Sequence, residues 1–159
     1  MAFIVSGDTH GTFDMRKVVR YFAEREEGYS KEDYLIICGD VGVCGFSTSD
    51  ERKTREILRN LPVTTLFVDG NHENFEQLNS YEEEEWNGGK VHFVESDIIH
   101  LMRGQVYCID GVSFFTFGGA YSIDKAYREE GISWFPEELP SREEYEEGWE
   151  NLEKAGFQV

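Results

Sequence analysis

Basic residues are scarce in this chain: 15 Lys and Arg stand against 32 Asp and Glu over 159 residues, a formal net charge of −17. That balance argues against tight binding of nucleic acid or of an anionic membrane through a basic face. It leaves a small phosphorylated substrate open, because bound divalent cations invert the local potential. Cysteine is scarce as well. Cys38, Cys44 and Cys108 are odd in number and match no zinc spacing, so reduced thiols are expected. Long apolar runs are missing, and none approaches a membrane span. The opening Met1–Asp8 has no basic n-region, and its apolar run is too short for a signal peptide. With no internal repeat and no Pro- or Gly/Ser-rich linker, a cytoplasmic chain of one domain, residues 1–159, is expected.

A hydrophobic content of 40% with 14% aromatics is enough for a real core. Ala2–Val5 reads as a buried strand, and Phe13–Arg25 has helical spacing with Met15, Val18, Val19 and Phe22 on one face. Tyr34–Cys38 is a second strand. Ser49–Leu61 is a second helix capped by Ser49 or Asp50. Thr64–Val68 is a third strand, followed by a short helical stretch, Asn74–Leu78. This alternation predicts a parallel sheet with right-handed crossovers. Val91–Val94, Ile98–Met102 and a hairpin of Gln105–Ile109 and Val112–Phe117 around Asp110-Gly111 predict an antiparallel layer after it. Tyr121–Pro140 reads as irregular. Ser141–Lys154 reads as a capped helix docked by Tyr145, Trp149 and Leu152. Glu82–Glu85 and the Glu-rich stretch from Glu129 to Glu153 read as solvated charge runs.

The informative pattern lies at the ends of the three buried strands, in Gly7-Asp8-Thr9-His10-Gly11, Gly39-Asp40 and Gly70-Asn71-His72-Glu73. Loops at the carboxyl ends of neighbouring parallel strands converge on one crevice. Two carboxylates, two imidazoles and an amide are thereby delivered together, a mixture suited to Mn, Fe or Zn rather than Ca. The glycines flank the proposed ligands, where the chain turns sharply and backbones approach. Neither GxxxxGK[ST] nor GxGxxG occurs, so a nucleotide site of those kinds is not expected.

The blocks GDTHG, GD and GNHE resemble the first three motifs of the calcineurin-like metallophosphoesterase superfamily. The motifs span Met1 to Glu73, and the strand-rich part to Gly119 suits that family's second sheet. The resemblance implies an α/β class fold, an α/β/β/α sandwich with mixed sheets. It also implies a two-metal site with Asp8 and His10 on the first ion, Asp40 bridging and Asn71 on the second. His72 is implied to be the non-ligand catalytic histidine that assists the leaving group. The implied reaction is hydrolysis of a phosphate ester by a two-metal-activated hydroxide, by a phosphatase or phosphodiesterase. The alternative is a non-catalytic scaffold that keeps the fold and mediates protein contacts.

Two departures modify that picture. Where many family phosphatases carry GDxxDRG, this chain has Val43 and Cys44 in place of the second Asp and the Arg. That leaves the orienter of His72 unassigned and makes the protein-phosphatase subgroup less expected. The family's later Gly-His-x-His block is absent from this chain. His92 and His100 sit in strand patterns and read as ordinary strand side chains. A domain truncated at its C-terminus is therefore expected, with an open sheet edge through which copies could associate. Two divalent ions held by four protein ligands are expected to bind weakly or partially. Metal analysis after dialysis against a chelator checks this, and two ions surviving that treatment would show that other groups complete the site.

Overall fold

A computed structural model describes residues 1–25, 28–45 and 47–157. Three parallel strands, β1 (Phe3–Gly7), β2 (Tyr34–Cys38) and β3 (Thr64–Val68), pair in sequence order. α1 (Thr12–Ala23) and α2 (Thr48–Asn60) connect them, and the short α3 (Phe75–Leu78) follows β3. In α1, Met15, Val18 and Phe22 face the sheet, whereas Val19, expected among them, is 40% exposed at the flank of the stripe. The cap of α2 is Ser47, whose side chain accepts from the N–H of Asp50, so the helix begins before the expected Ser49 or Asp50.

The same sheet continues rather than giving way to a separate antiparallel layer. β6 (Ile98–Leu101) pairs parallel with β3, and β5 (Gly89–Glu95) and β4 (Glu83–Trp86) extend the sheet antiparallel, giving the order β1-β2-β3-β6-β5-β4. β4 corrects the reading of Glu82–Glu85 as only a charge run. Asn87 (φ 50°) and Gly88 (φ 94°) form a two-residue turn between Trp86 and Gly89, and this Asn-Gly pair is the signal that marks the hairpin. Glu83, Glu84 and Glu85 remain exposed along the sheet edge, where like charge opposes pairing with another copy at that edge.

The second sheet is a single hairpin among the described residues, β7 (Gln105–Ile109) and β8 (Val112–Thr116), turning at Asp110-Gly111 as expected. One apolar layer, with Met15, Leu35, Ile37, Leu58 and Phe67, lies between the helices and the large sheet. A second, with Ile36, Leu66, Val91, Leu101 and Tyr107, lies between that sheet and the hairpin. β2 and β3 therefore bury both faces. The layers are those of the α/β sandwich; the expected domain end at Val159 lies outside the described residues.

α4 (Arg142–Lys154) begins in a full capping box of Ser141 and Glu144. It does not dock by its aromatic stripe. Tyr145 and Trp149 stay half exposed, and Gly148 is the residue that goes under. A Cβ on Gly148 would stand 3.2 Å from the Cα of Gly104 and 3.2 Å from the Phe117 ring, so helix and hairpin meet backbone to backbone. Tyr145 instead stacks on Phe117 at 4.8 Å, beside that seam. Gly104→Ala adds a Cβ 2.9 Å from the Glu144 carbonyl at φ +70°, and a loss of about 1–3 kcal/mol is expected in urea unfolding. Trp149→Ala is expected to cost the less of the two, and the reverse order would show that the aromatic face holds the helix.

Candidate metal centre

The loops after β1 and β2 lie against each other. The N–H of His10 donates to the Asp40 carbonyl at 2.8 Å, and that of Gly11 to the Val41 carbonyl at 3.2 Å. Gly42 makes the approach possible, since a Cβ there would lie 2.6 Å from Gly11. His10 (φ 44°) and Asp40 (φ 46°) are left-handed without being glycine. Each such residue costs about 1–3 kcal/mol, strain of the kind that collects at functional sites. The loop after β3 closes the third side. The His72 N–H donates to Asp40 Oδ1 at 2.8 Å. A Cβ on Gly70 would collide with that same oxygen, so only glycine lets the carboxylate in.

Asp8, His10 and Asp40 each bring one ligand atom within 4.8 Å of the others. His10 Nε2 lies 3.3 Å from Asp8 Oδ1 and 3.7 Å from Asp40 Oδ2. Asp40 is 6% exposed. It borders two cavities, one of about 550 Å³ shared with Asp8 and Asn71 and one of about 220 Å³ shared with His10 and His72. Two carboxylates facing one imidazole, one of them buried, form a donor set that suits a divalent first-row cation. The residues present fit that group.

Asn71 is oriented by a chain of contacts that the sequence did not reveal. Its Nδ2 donates to Ser122 Oγ at 2.9 Å, which leaves Oδ1 free to act as a ligand. Ser122 in turn donates its hydroxyl to Glu138 Oε2, and its N–H to Glu138 Oε1 at 2.9 Å. Burial pushes the Glu138 carboxyl up, but the two Ser122 hydrogen bonds outweigh it and hold the pKa below the ordinary value. Glu138 is only 1% exposed, so this part of the Glu-rich stretch is not a solvated face.

His72 is also held from the irregular segment. Arg128 places Nη2 2.5 Å from His72 Nε2, and Asp124 Oδ2 accepts from Arg128 Nε at 2.9 Å. Burial, opposed by the Asp40 carboxylate and reinforced by Arg128 and His10, lowers the His72 pKa. Val43 and Cys44, standing where the family pattern has Asp and Arg, are fully buried in the core. Burial pushes the Cys44 thiol up to about 12, which makes it inert.

Behind the loops, Glu73 is fully buried, and its Oε1 accepts from the Val41 N–H at 3.1 Å, linking the second loop to the third. Burial, with Asp40 and Asp69 near, raises its pKa well above the usual carboxylate range. His92 and His100 stand among the buried residues away from the Asp8–His10–Asp40 group, and they are not ordinary strand side chains. His100 Nε2 lies 3.2 Å from Asp69 Oδ1, and its Nδ1 lies 3.1 Å from His92 Nδ1. A carboxylate only accepts, so His100 donates from Nε2 to Asp69. Burial and the neighbouring His100 push His92 down to about 4. Arg103 makes two bonds to Asp69 Oδ2 and one to the Glu137 carbonyl. Burial pushes Asp69 up, but His100 and Arg103 prevail and hold it below the usual value.

A family model described as calcineurin-like phosphoesterase matches residues 1–156 of the chain. No curated protein and no solved structure matches it. Among the described residues, no helix is long and apolar enough to cross a membrane.

Ser122→Ala removes the acceptor that fixes the Asn71 amide. Mn²⁺ affinity is expected to fall by about 10- to 100-fold in calorimetric titration with the fold unchanged, the scale for a group that orients a ligand. An unchanged affinity would show that Asn71 needs no orientation or is not a ligand.

Proposed function

The chain belongs to the calcineurin-like phosphoesterase family, and on that premise we propose that it hydrolyses a small phosphate ester at the ends of β1, β2 and β3. Metal-dependent phosphoester hydrolysis is the general chemistry of the family. In this reading Asp8 and His10 would hold one divalent ion, Asp40 would be shared with a second, and Asn71 would complete the second through its amide oxygen. The observation that carries the reading is the convergence of Asp8, His10 and Asp40 within 4.8 Å, with the His72 backbone hydrogen-bonded to the same Asp40 carboxylate. We take the ions to be of the Mn, Fe or Zn class, and residues 1–159 to be one domain.

Bound there, divalent cations would supply a nucleophile from water at neutral pH and neutralise phosphoryl oxygens. Asp40 keeps the His72 backbone in place, so the ring stays at the edge of the smaller cavity. An arriving phosphoryl group is an anion within hydrogen-bond reach, and it favours the protonated ring. His72 then donates that proton to the ester oxygen as the P–O bond breaks, so the leaving group departs as an alcohol. The acidity of the chain does not oppose this, because the ions reverse the potential where the phosphate sits.

His72→Ala is expected to leave metal content nearly unchanged and to lower hydrolysis by about a hundredfold or more, the scale for a general acid. The loss is expected to be smallest for aryl esters, whose leaving groups need little protonation. Asp40→Asn is expected to remove metal and activity together. Metal analysis alongside hydrolysis of an aryl and an alkyl phosphate checks both variants. Loss of metal from His72→Ala would make His72 a ligand and overturn the division of roles.

A further inference from the structure

We propose that Arg128 is a phosphate-binding side chain of this site and that its guanidinium, set beside His72, selects phosphate monoesters over diesters. The inference rests on the phosphoesterase reading above. Arg128 comes from the irregular segment, far in sequence from the three strand-end loops, and its side chain is only 9% exposed. Its Nε donates to Asp124, its Nη1 to the Ser133 carbonyl at 3.5 Å, and its Nη2 faces both ring nitrogens of His72, at 2.5 Å and 3.2 Å. These contacts engage three of the five N–H groups a guanidinium carries.

A guanidinium set against a histidine is a pair with no anion between its members. Arginine only donates, so in the free site the His72 ring must accept at Nε2. On that side Nη2 has an imidazole and no carboxylate as its partner, so an oxyanion placed beside it would give the guanidinium a charged acceptor there. Asp124 cannot be that oxyanion, since it lies on the Nε side and is half exposed, so water screens it.

The surrounding charge points the same way. The cavity beside His72 is bordered by Asp40, Asp50 and Glu51 and, among the described residues, by no lysine or arginine. Nearby, Arg55 is committed to the Val43 carbonyl, at 2.8 Å and 2.6 Å, and to Glu51 at 3.3 Å. Arg128 lies behind His72, outside the lining of that cavity, and reaches it through its contact with the His72 ring. A monoester offers three terminal oxygens and up to two negative charges, and a diester two and one. A fixed guanidinium beside His72 favours the group with the additional oxygen.

The test uses the full chain in saturating Mn²⁺, with inorganic phosphate as the calorimetric probe and 4-nitrophenyl phosphate and bis(4-nitrophenyl) phosphate as substrates. Arg128→Ala is expected to weaken phosphate binding by about 10- to 100-fold, the range for a charge-assisted hydrogen bond, with metal content unchanged. It is also expected to lower the monoester-to-diester ratio of kcat/KM. Arg128→Lys, which keeps the charge and loses the fork, is expected to fall between the two, and it carries the test should the alanine variant fail to fold. Unchanged phosphate affinity in the variants, or no measurable phosphate binding by the parent chain, overturns the proposal. A fall in kcat shared equally by both esters with phosphate affinity intact overturns it too, because Arg128 would then only position His72. A parent chain that binds phosphate through Arg128 yet hydrolyses neither ester would refute the phosphoesterase reading and leave phosphate binding by Arg128 standing.

Discussion

A buried carboxylate in a chain with little positive charge sets the terms for the whole site. Asp40 is 6% exposed, and an ionised carboxylate removed from water is tolerated only when donors or cations answer it. The loops after the three parallel strands are arranged as that answer. His72 supplies a backbone N–H, His10 brings its imidazole edge, and Gly70 withdraws its side chain so that the oxygens can enter. Remove any of these and the carboxylate loses part of that answer in a −17 molecule. The left-handed backbone at His10 and Asp40 is the strain that this convergence imposes.

A second acid secures the arrangement from behind. Asp69 closes the end of β3, one residue before Gly70, and is tied to β6 through His100 and to the turn after β6 through Arg103. Arg103 also reaches the Glu137 carbonyl and Glu144 on α4. The strand that presents Asn71 and His72 is thereby fixed to the large sheet, to the irregular segment and to the terminal helix through a single guanidinium. Asp40 and Asp69, which both border the larger cavity, thus lie on either side of Gly70.

Local signals made much of this legible. The boundaries of β2 and β3 follow from apolar runs ending at glycine, and the hairpin at Asp110-Gly111 follows from its turn chemistry. The strand-end residues Asp8, His10, Asp40, Asn71 and His72 stand out because chemistry and position coincide. β4 was legible through Asn87-Gly88 but was hidden by a glutamate run whose composition suggested a loop. The docking of α4 was not legible, because a close approach through Gly148 contradicts the usual rule that the aromatic stripe goes inside. Ser122, Asp124, Arg128 and Glu138 carry no periodicity and no spacing relative to the strands. Their meaning is purely tertiary, and a serine or a glutamate in an acidic stretch looks the same whether it orients an amide or faces water.

Ser122, Asp124, Arg128 and Glu138 share a further property. They ride on a segment that owes nothing to strand register: its conformation is set by short turns, two 3-10 turns and an isolated bridge between Glu130 and Trp134. The strand-end residues cannot shift without disturbing β1, β2 or β3, so their identities are locked to the architecture. The segment over them is free of that constraint and can lengthen, shorten or exchange side chains while the sheet stays as it is. Inheritance can therefore act on the two halves of the site at different rates, with the strand-end half static and the overlying half open to drift. Related chains would then diverge first in what they accept and last in how they react.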